Sequence, residues 1–270
     1  MRRHISSLLF LLLAAPVALT GCSKDSKSLT GIEAQSTQPL SNRQADENTL
    51  RRTAWLPRVL FVHASPDAPA VDILVGRRTV AEDVTFPQNT GYERFFPGNR
   101  RVRVNVANTG TSVIDARVPF EAGKAYSVFA IGKVANLGAL VLSDDLTPPA
   151  NGMAHVRFVH LSPDAPAVDV ALQGGAVVFG NKSFKDYTAF TPLPAGSYDL
   201  EVRPAGSTAV VLPLPGINLE AGKIYTVFAK GLLGGTGNQA LGAGIIVNRD
   251  CGKWNRWMSD GLAEPFASND

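Results

Sequence analysis

The stretch VLFVHASPDAPAVDI, from Val59 to Ile73, decides the fold because it occurs twice in the chain. It returns as VRFVHLSPDAPAVDV from Val156 to Val170, with twelve of fifteen positions identical and an offset of 97 residues. Solenoid and propeller units repeat about every 20 to 50 residues. An offset this long therefore indicates a tandem duplication of a whole small domain.

Each copy of this stretch reads as a strand, a rigid turn and a second strand. Residues 59–64 alternate between two faces that are both largely apolar, which predicts a central strand. The segment SPDAP, at Ser65–Pro69 and Ser162–Pro166, ends that strand because its prolines lack backbone donors and its Ser and Asp can bond nearby amides. The apolar alternation then resumes at Val71 and Val168.

A second repeated stretch sets the register of the duplication. FEAGKAYSVFAIGK at Phe120–Lys133 matches LEAGKIYTVFAKGL at Leu219–Leu232 at nine of fourteen positions, with an offset of 99. Between the two stretches we pair three positions of the first half with three of the second, namely Tyr92, Phe95 and Gly98 with Tyr187, Phe190 and Gly196.

These motifs resemble a bacterial extracytoplasmic family, domain of unknown function 4397, whose members carry H-x-SPDAP-x-VD and a later EAGK-x-Y-x-V. Both halves match both motifs, and the resemblance covers Leu56 to Asn248. It implies a β-rich domain outside the cytoplasm and implies no activity.

The fold class that the sequence predicts is all-β, with two tandem immunoglobulin-like antiparallel β-sandwich domains. Short strands are expected near 58–64, 71–76, 91–96, 100–107, 112–119, 125–132 and 137–142, and again in the second half. The predicted domains are 56–145 and 153–248, joined by the proline-stiffened linker 146–152 and followed by a tail, 249–270. Because each half carries its own motifs, we expect each to fold as a separate unit.

The N-terminus has the features of a lipoprotein signal peptide. Residues 1–21 combine Arg2 and Arg3 with a short apolar run, and Leu19–Cys22 spells LTGC, the form of a bacterial lipobox. Cys22 is then the first mature residue and carries the lipid, a diacylglycerol with palmitate-type acyl chains; ordinary secretion with cleavage elsewhere is the alternative. Residues 22–55 are polar and predict a disordered tether. Ser23 after the Cys, rather than Asp, permits transfer to an outer membrane by resemblance to lipoprotein sorting rules, if the organism has one.

Charge excludes one class of partner. Without residues 1–21 the chain has 24 Lys and Arg against 23 Asp and Glu, a net charge of +1. Nucleic-acid binding requires a dense positive surface, so no nucleic-acid partner is predicted.

The candidate site residues all come from the repeated motif. They are His63, Ser65, Asp67 and Asp72 in the first copy and His160, Ser162, Asp164 and Asp169 in the second. We interpret them as structural: the histidines are buried and bonded to a turn group or to Asp72 and Asp169, and the aspartates cap turn amides. The alternative is a metal-dependent binding module or a hydrolase that uses the SPDAP turns.

No catalytic residue, metal site or cofactor is predicted. Successive strand residues diverge and cannot form a triad, no G-x-S-x-G segment occurs, and two carboxylates fall short of the six to eight oxygens that calcium takes. The glycine-rich segment 231–244 lacks phosphate-loop spacing and predicts a hairpin loop.

The tail adds Trp254 and Trp257, which predict a helical turn docked on the second domain or, alternatively, an aromatic patch for a partner. Cys251 has no intramolecular partner once Cys22 is lipidated, so it is a buried thiol or forms an intermolecular disulfide. The sequence as a whole predicts a non-enzymatic cell-envelope lipoprotein, anchored to the membrane by its lipid, that binds a protein or polysaccharide or has a structural role.

Overall fold

The computed structural model describes residues 55–249. The predicted signal peptide, Cys22 and the tether as far as residue 54 lie outside the described residues. The tail from residue 250, with Cys251, Trp254 and Trp257, lies outside them as well.

Between residues 55 and 249 each half has eight β-strands, which confirms the all-β prediction. The strands of the first half are β1 (Arg58–His63), β2 (Val71–Val75), β3 (Arg78–Val84), β4 (Asn89–Arg94), β5 (Gly98–Val106), β6 (Ser112–Phe120), β7 (Ala125–Ile131) and β8 (Gly138–Asp144). Those of the second half are β9 (Met153–His160), β10 (Val168–Leu172), β11 (Val177–Lys182), β12 (Thr191–Pro194), β13 (Gly196–Pro204), β14 (Leu212–Leu219), β15 (Ile224–Lys230) and β16 (Gly242–Arg249). Between residues 55 and 249 the helical segments are two 3-10 turns, Val134–Asn136 and Gly237–Gln239, and no helix there could cross a membrane.

Each half is a sandwich of two four-stranded sheets. The outer sheets have the orders β3-β2-β5-β6 and β11-β10-β13-β14, and the inner sheets have the orders β4-β1-β7-β8 and β12-β9-β15-β16. The prediction of purely antiparallel sheets needs one correction, because β1 pairs with β7, and β9 with β15, in parallel. All other strand pairs are antiparallel.

The strand pattern of the sequence omits β3. Its sequence, RTVAEDV, places polar side chains on both faces, and most of the strand is exposed or half-buried. It lies at the edge of the outer sheet, beside β2 only. An edge strand does not need an apolar face, so periodicity cannot reveal it.

The described residues form three large apolar cores and a smaller cluster at the linker. Val59 and Phe61 of β1 pack into the core of the first half, and Val156 and Phe158 of β9 pack into the core of the second. The opposite face of β1 enters a third core between the two inner sheets, which consists of Leu60, Val62, Ala64, Phe129, Ile131 and Leu142 of the first half with Val159, Leu161, Phe228 and Ile246 of the second. The four sheets therefore stack as one four-layer body.

This third core changes the expectation that the halves are independent units. Each half has a core of its own, but its inner sheet is covered by the other half. The linker is also anchored, because Leu146 packs with Ala125 and Ile224. Separated halves would expose two apolar faces to water, which is unfavourable in proportion to the area exposed.

The strand registers correct the residue correspondence that the sequence analysis gave for the segment between the two repeated stretches. β1 aligns Leu60 with Tyr92, and the bridge of the second half aligns Val159 with Tyr187. Since Val159 matches Val62, whose partner is Asn89, Tyr187 matches Asn89 and not Tyr92. The structural equivalents of Tyr92 and Phe95 are therefore Phe190 and Leu193, while Gly98 and Gly196 do correspond.

Candidate functional site

The motif histidines close the turns that follow them. His63 and His160 end β1 and β9 with essentially no exposure. Nε2 lies 3.0 Å from the carbonyl oxygen of Pro69 in the first copy and 3.2 Å from that of Pro166 in the second. A carbonyl can only accept a hydrogen bond, so Nε2 carries the proton in both rings. Each histidine is therefore bonded to a turn group, which is one of the two partners that the sequence predicts.

Stability should depend on pH because of these two histidines. Burial lowers the pKa of both imidazoles below the ordinary value of 6.5. Well above pH 6.5 the rings are neutral in the folded and unfolded chains, so they give no slope. As pH falls below 6.5 the unfolded chain takes up protons that the folded chain does not, and stability drops by up to about 1.4 kcal/mol per pH unit for each ring.

Urea unfolding between pH 7.5 and 5.5 measures this slope, in a range above the titration of most carboxylates. His63→Gln and His160→Gln should each remove part of it, whereas His155→Gln, at a half-buried position on β9, is the matched control. Equal slopes for the parent and for the variant lacking both motif histidines would contradict this assignment.

The first aspartate of each motif binds the loop that follows a central strand of the inner sheet, β7 in the first half and β15 in the second. Oδ1 of Asp67 accepts a hydrogen bond from the Val134 amide at 2.9 Å, and Oδ1 of Asp164 accepts one from the Leu233 amide at 3.0 Å. Oδ2 of Asp164 also lies 2.9 Å from Nζ of Lys133, which belongs to the first half. The second SPDAP turn therefore also contacts the neighbouring domain.

The motif serines are fully buried and are not bonded to the histidines. Oγ of Ser162 donates to the carbonyl of Gly231 at 2.7 Å, while Oγ of Ser65 lies 3.5 Å from Oδ1 of Asp67. A serine nucleophile needs a base within hydrogen-bond reach. Neither hydroxyl has the motif histidine as that partner.

The second aspartate of each motif binds two amides in the outer sheet. The carboxylate of Asp169 accepts from Asn181 N at 2.6 Å and from Gly206 N at 2.8 Å. Both donor residues have positive φ, 51° and 75°, a conformation that is uncommon outside glycine. These backbone bonds lower the pKa of Asp169, so the carboxylate is charged where it anchors the irregular part of β11 and the turn after β13.

Asp72 has the same role in the first half. It accepts from Asp83 N at 3.0 Å and from Asn108 N at 3.3 Å, and both of these residues also have positive φ. The alternative in which Asp72 and Asp169 would bind the motif histidines is wrong, because both carboxylates are occupied by these amides. Within residues 55–249, no group of three His, Cys, Asp or Glu side chains could hold a metal ion.

A second polar cluster, which the sequence did not reveal, lies between the halves. Arg157 of β9 and Asp144 of β8 form an ion pair, with 2.7 Å between Nη2 and Oδ1 and side chains only 2% and 0% exposed. Nη2 also donates to Ser127 Oγ at 3.0 Å, and Nε donates to Thr226 Oγ1 at 2.9 Å. The guanidinium lies over the Phe190 ring, 4.6 Å from its centre.

Further hydrogen bonds complete this interdomain network. Ser127 and Tyr92 both donate to Oδ2 of Asp144. Asn248 accepts from Thr226 Oγ1 at 2.6 Å through its Oδ1 and donates from Nδ2 to the Tyr92 hydroxyl at 2.9 Å. Burial raises the pKa of the Tyr92 phenol, which keeps this donor protonated. The network thus joins both halves through an ion pair whose neighbouring polar side chains are hydrogen-bonded.

The duplication makes this network asymmetric. Arg157 occupies the position of Leu60 when the strand registers of the halves are matched. Asn248 takes the role of Asp144, because it accepts a hydrogen bond from Thr226 as Asp144 does from the equivalent Ser127. One half thus supplies the cation and the other the anion. The sequence contained one signal for this network, which is the change from Leu60 to Arg157 within the repeated motif.

The class of protein that these features define is a duplicated all-β protein whose two sandwiches share a buried interface. The family model described as "Domain of unknown function (DUF4397)" matches residues 57–171 and 171–250. The chain belongs to this family, and the resemblance seen in its motifs is confirmed.

No curated protein matches the chain. Ten chains of solved structures match, among them one titled "The Bacillus anthracis TIE protein", with 11% identity and a TM-score of 0.23. That alignment covers 65% of this chain and 34% of the other, so this chain spans about a third of that structure.

Proposed function

We propose that the protein is a non-enzymatic module of the cell envelope, anchored by a lipid on Cys22, that presents a rigid four-layer body to a protein or polysaccharide partner. One observation supports the proposal that the protein is not an enzyme. The side chains of the repeated motif are bonded to the turns and loops around them and do not converge on an open polar pocket.

The alternative, a hydrolase or metal-dependent module, would need these groups to be available. His63 and Ser65 are buried, and Asp67 binds the Val134 amide. Asp72 lies on the outer sheet and binds two other amides. Turning the His63 ring or the Asp72 carboxylate towards a substrate or ion would break a bond that shapes the motif.

The envelope location is supported by the LTGC segment behind a short apolar run. Acyl chains contribute about 0.8 kcal/mol of membrane binding for each buried CH2, so the chains on one cysteine would hold the protein firmly. The polar segment that follows Cys22 would separate the folded body from the lipid surface.

Cells grown with a fatty-acid analogue should label the parent protein and not Cys22→Ser, because the thiol is the attachment point. Ser23→Ala, next to it, is the control and should keep the label. Equal labelling of the parent and Cys22→Ser would refute the anchor. Capture from intact envelopes with the segment Ser23–Asp270 would then identify the partner.

A further inference from the structure

The second half contains an apolar cavity of about 170 Å³ between its two sheets. A cavity in the core of the first half, which shares only some of the equivalent lining positions, measures about 10 Å³. The lining is apolar and includes Phe158 and Val227 of the inner sheet and Leu200 and Ile217 of the outer sheet. Two copies of one fold therefore differ in whether their core is filled.

Two substitutions between the copies account for this difference. Phe95 and Phe120 fill the core of the first half, with ring centres 6.2 Å apart, and Phe95 also meets Phe61 edge-on. Strand registers place Leu193 and Leu219 at these positions in the second half, and both line the cavity.

The second half has one aromatic ring that the first half lacks at the equivalent position. Phe179 occupies the position of Ala81 and stacks on Phe158 at 6.3 Å. Phe179 is itself part of the lining, so it forms one wall and leaves the space beside Leu193 and Leu219 unfilled.

The cavity opens to solvent at one end of the sandwich. Leu172 and Pro194 line it and are exposed, and Tyr198, which also lines it, is half-buried. The Tyr198 hydroxyl donates to the Pro194 carbonyl at 2.7 Å, so the polar group at the mouth is already bonded. In the first half the matching strand β5 buries Val102 and Val104.

We propose that this cavity binds the alkyl chain of an amphiphile, with about six carbons inside and the polar head in water. An apolar cavity of about 150 Å³ stays dry and accommodates benzene, so 170 Å³ suits an alkyl segment of that size. A polar head would find no free partner among the lining side chains and would lose its hydration there. This inference is independent of lipid attachment at Cys22.

Calorimetric titration of the segment Ser23–Asp270 with decanoate tests the proposal, with butanoate as the short-chain control. Decanoate should bind, and butanoate at least tenfold more weakly. Leu193→Phe and Leu219→Phe restore the residues of the first half and should each weaken decanoate binding at least tenfold. Val141→Phe, which adds a ring at an exposed site on β8, should bind like the parent.

Methyl NMR of the parent protein gives a second readout that requires no variant to fold. Decanoate should shift the methyl signals of Leu200 and Val227 and leave those of Val102 and Val104 unchanged. Absence of decanoate binding to the parent overturns the proposal. So does unchanged affinity in folded Leu193→Phe and Leu219→Phe, or shifts confined to residues outside the cavity.

Discussion

Replacing Arg157 with Leu is expected to lower the free energy of unfolding by about 3 to 5 kcal/mol. The change leaves the Asp144 carboxylate, which is fully buried, without its cation, and removing one partner of a buried ion pair has a cost of this size. It also removes the donors to Ser127 and Thr226. Urea unfolding of the parent and the variant at pH 7.5 measures the difference.

The duplication suggests the compensating change. Leu is already present at the equivalent position 60, and Asn248 accepts from Thr226 as Asp144 accepts from Ser127, so Arg157→Leu combined with Asp144→Asn makes the interface more symmetric. Without a buried charge, the double variant should regain most of the lost stability.

The exposed pair Arg101–Asp115 is the matched control. Its side chains are 54% and 40% exposed, so Arg101→Leu should leave the free energy of unfolding nearly unchanged. If Arg157→Leu costs no more than Arg101→Leu, the ion pair does not stabilise the interface.

The central strand shows both how far periodicity predicts this fold and where it stops. Residues 59–64 are apolar on both faces, and the structure buries both faces of β1. The pattern shows that each face is covered but not what covers it. The inner sheet of the other half covers Leu60 and Val62, a contact between residues about 100 positions apart that no local pattern encodes.

The turn residues were predictable because their chemistry is local. Pro, Ser and Asp in SPDAP favour a turn, and each motif histidine bonds a carbonyl only six residues further on. Partners distant in sequence were not predictable: Asp67 binds a loop 67 residues away, and Asp72 binds a turn 36 residues away.

The alignment of the two halves failed where the chain had gained single residues. The offset is 97 at the first motif and 99 at the second, so the segment between them has an intermediate register. Pairing Tyr92 with Tyr187 followed residue identity, whereas the strand register pairs Tyr92 with Phe190. The corrected register reveals both the asymmetric network and the Phe-to-Leu changes around the cavity.

Cutting the linker should leave the two halves bound to each other. The third core buries ten apolar residues from both halves, and the Arg157–Asp144 pair crosses the same interface. A protease site inserted between Ala150 and Asn151, which are exposed, allows the cut in the folded protein. The cut chain should unfold cooperatively, and Arg157→Leu should promote dissociation after the same cut.

Sedimentation of the cut protein at micromolar concentration tests most directly whether the duplicated sandwiches form one body. One species with the mass of the uncut protein, which separates into two after Arg157→Leu, is the predicted result. Two freely separated fragments that remain folded and β-rich without any change at Arg157 would contradict it.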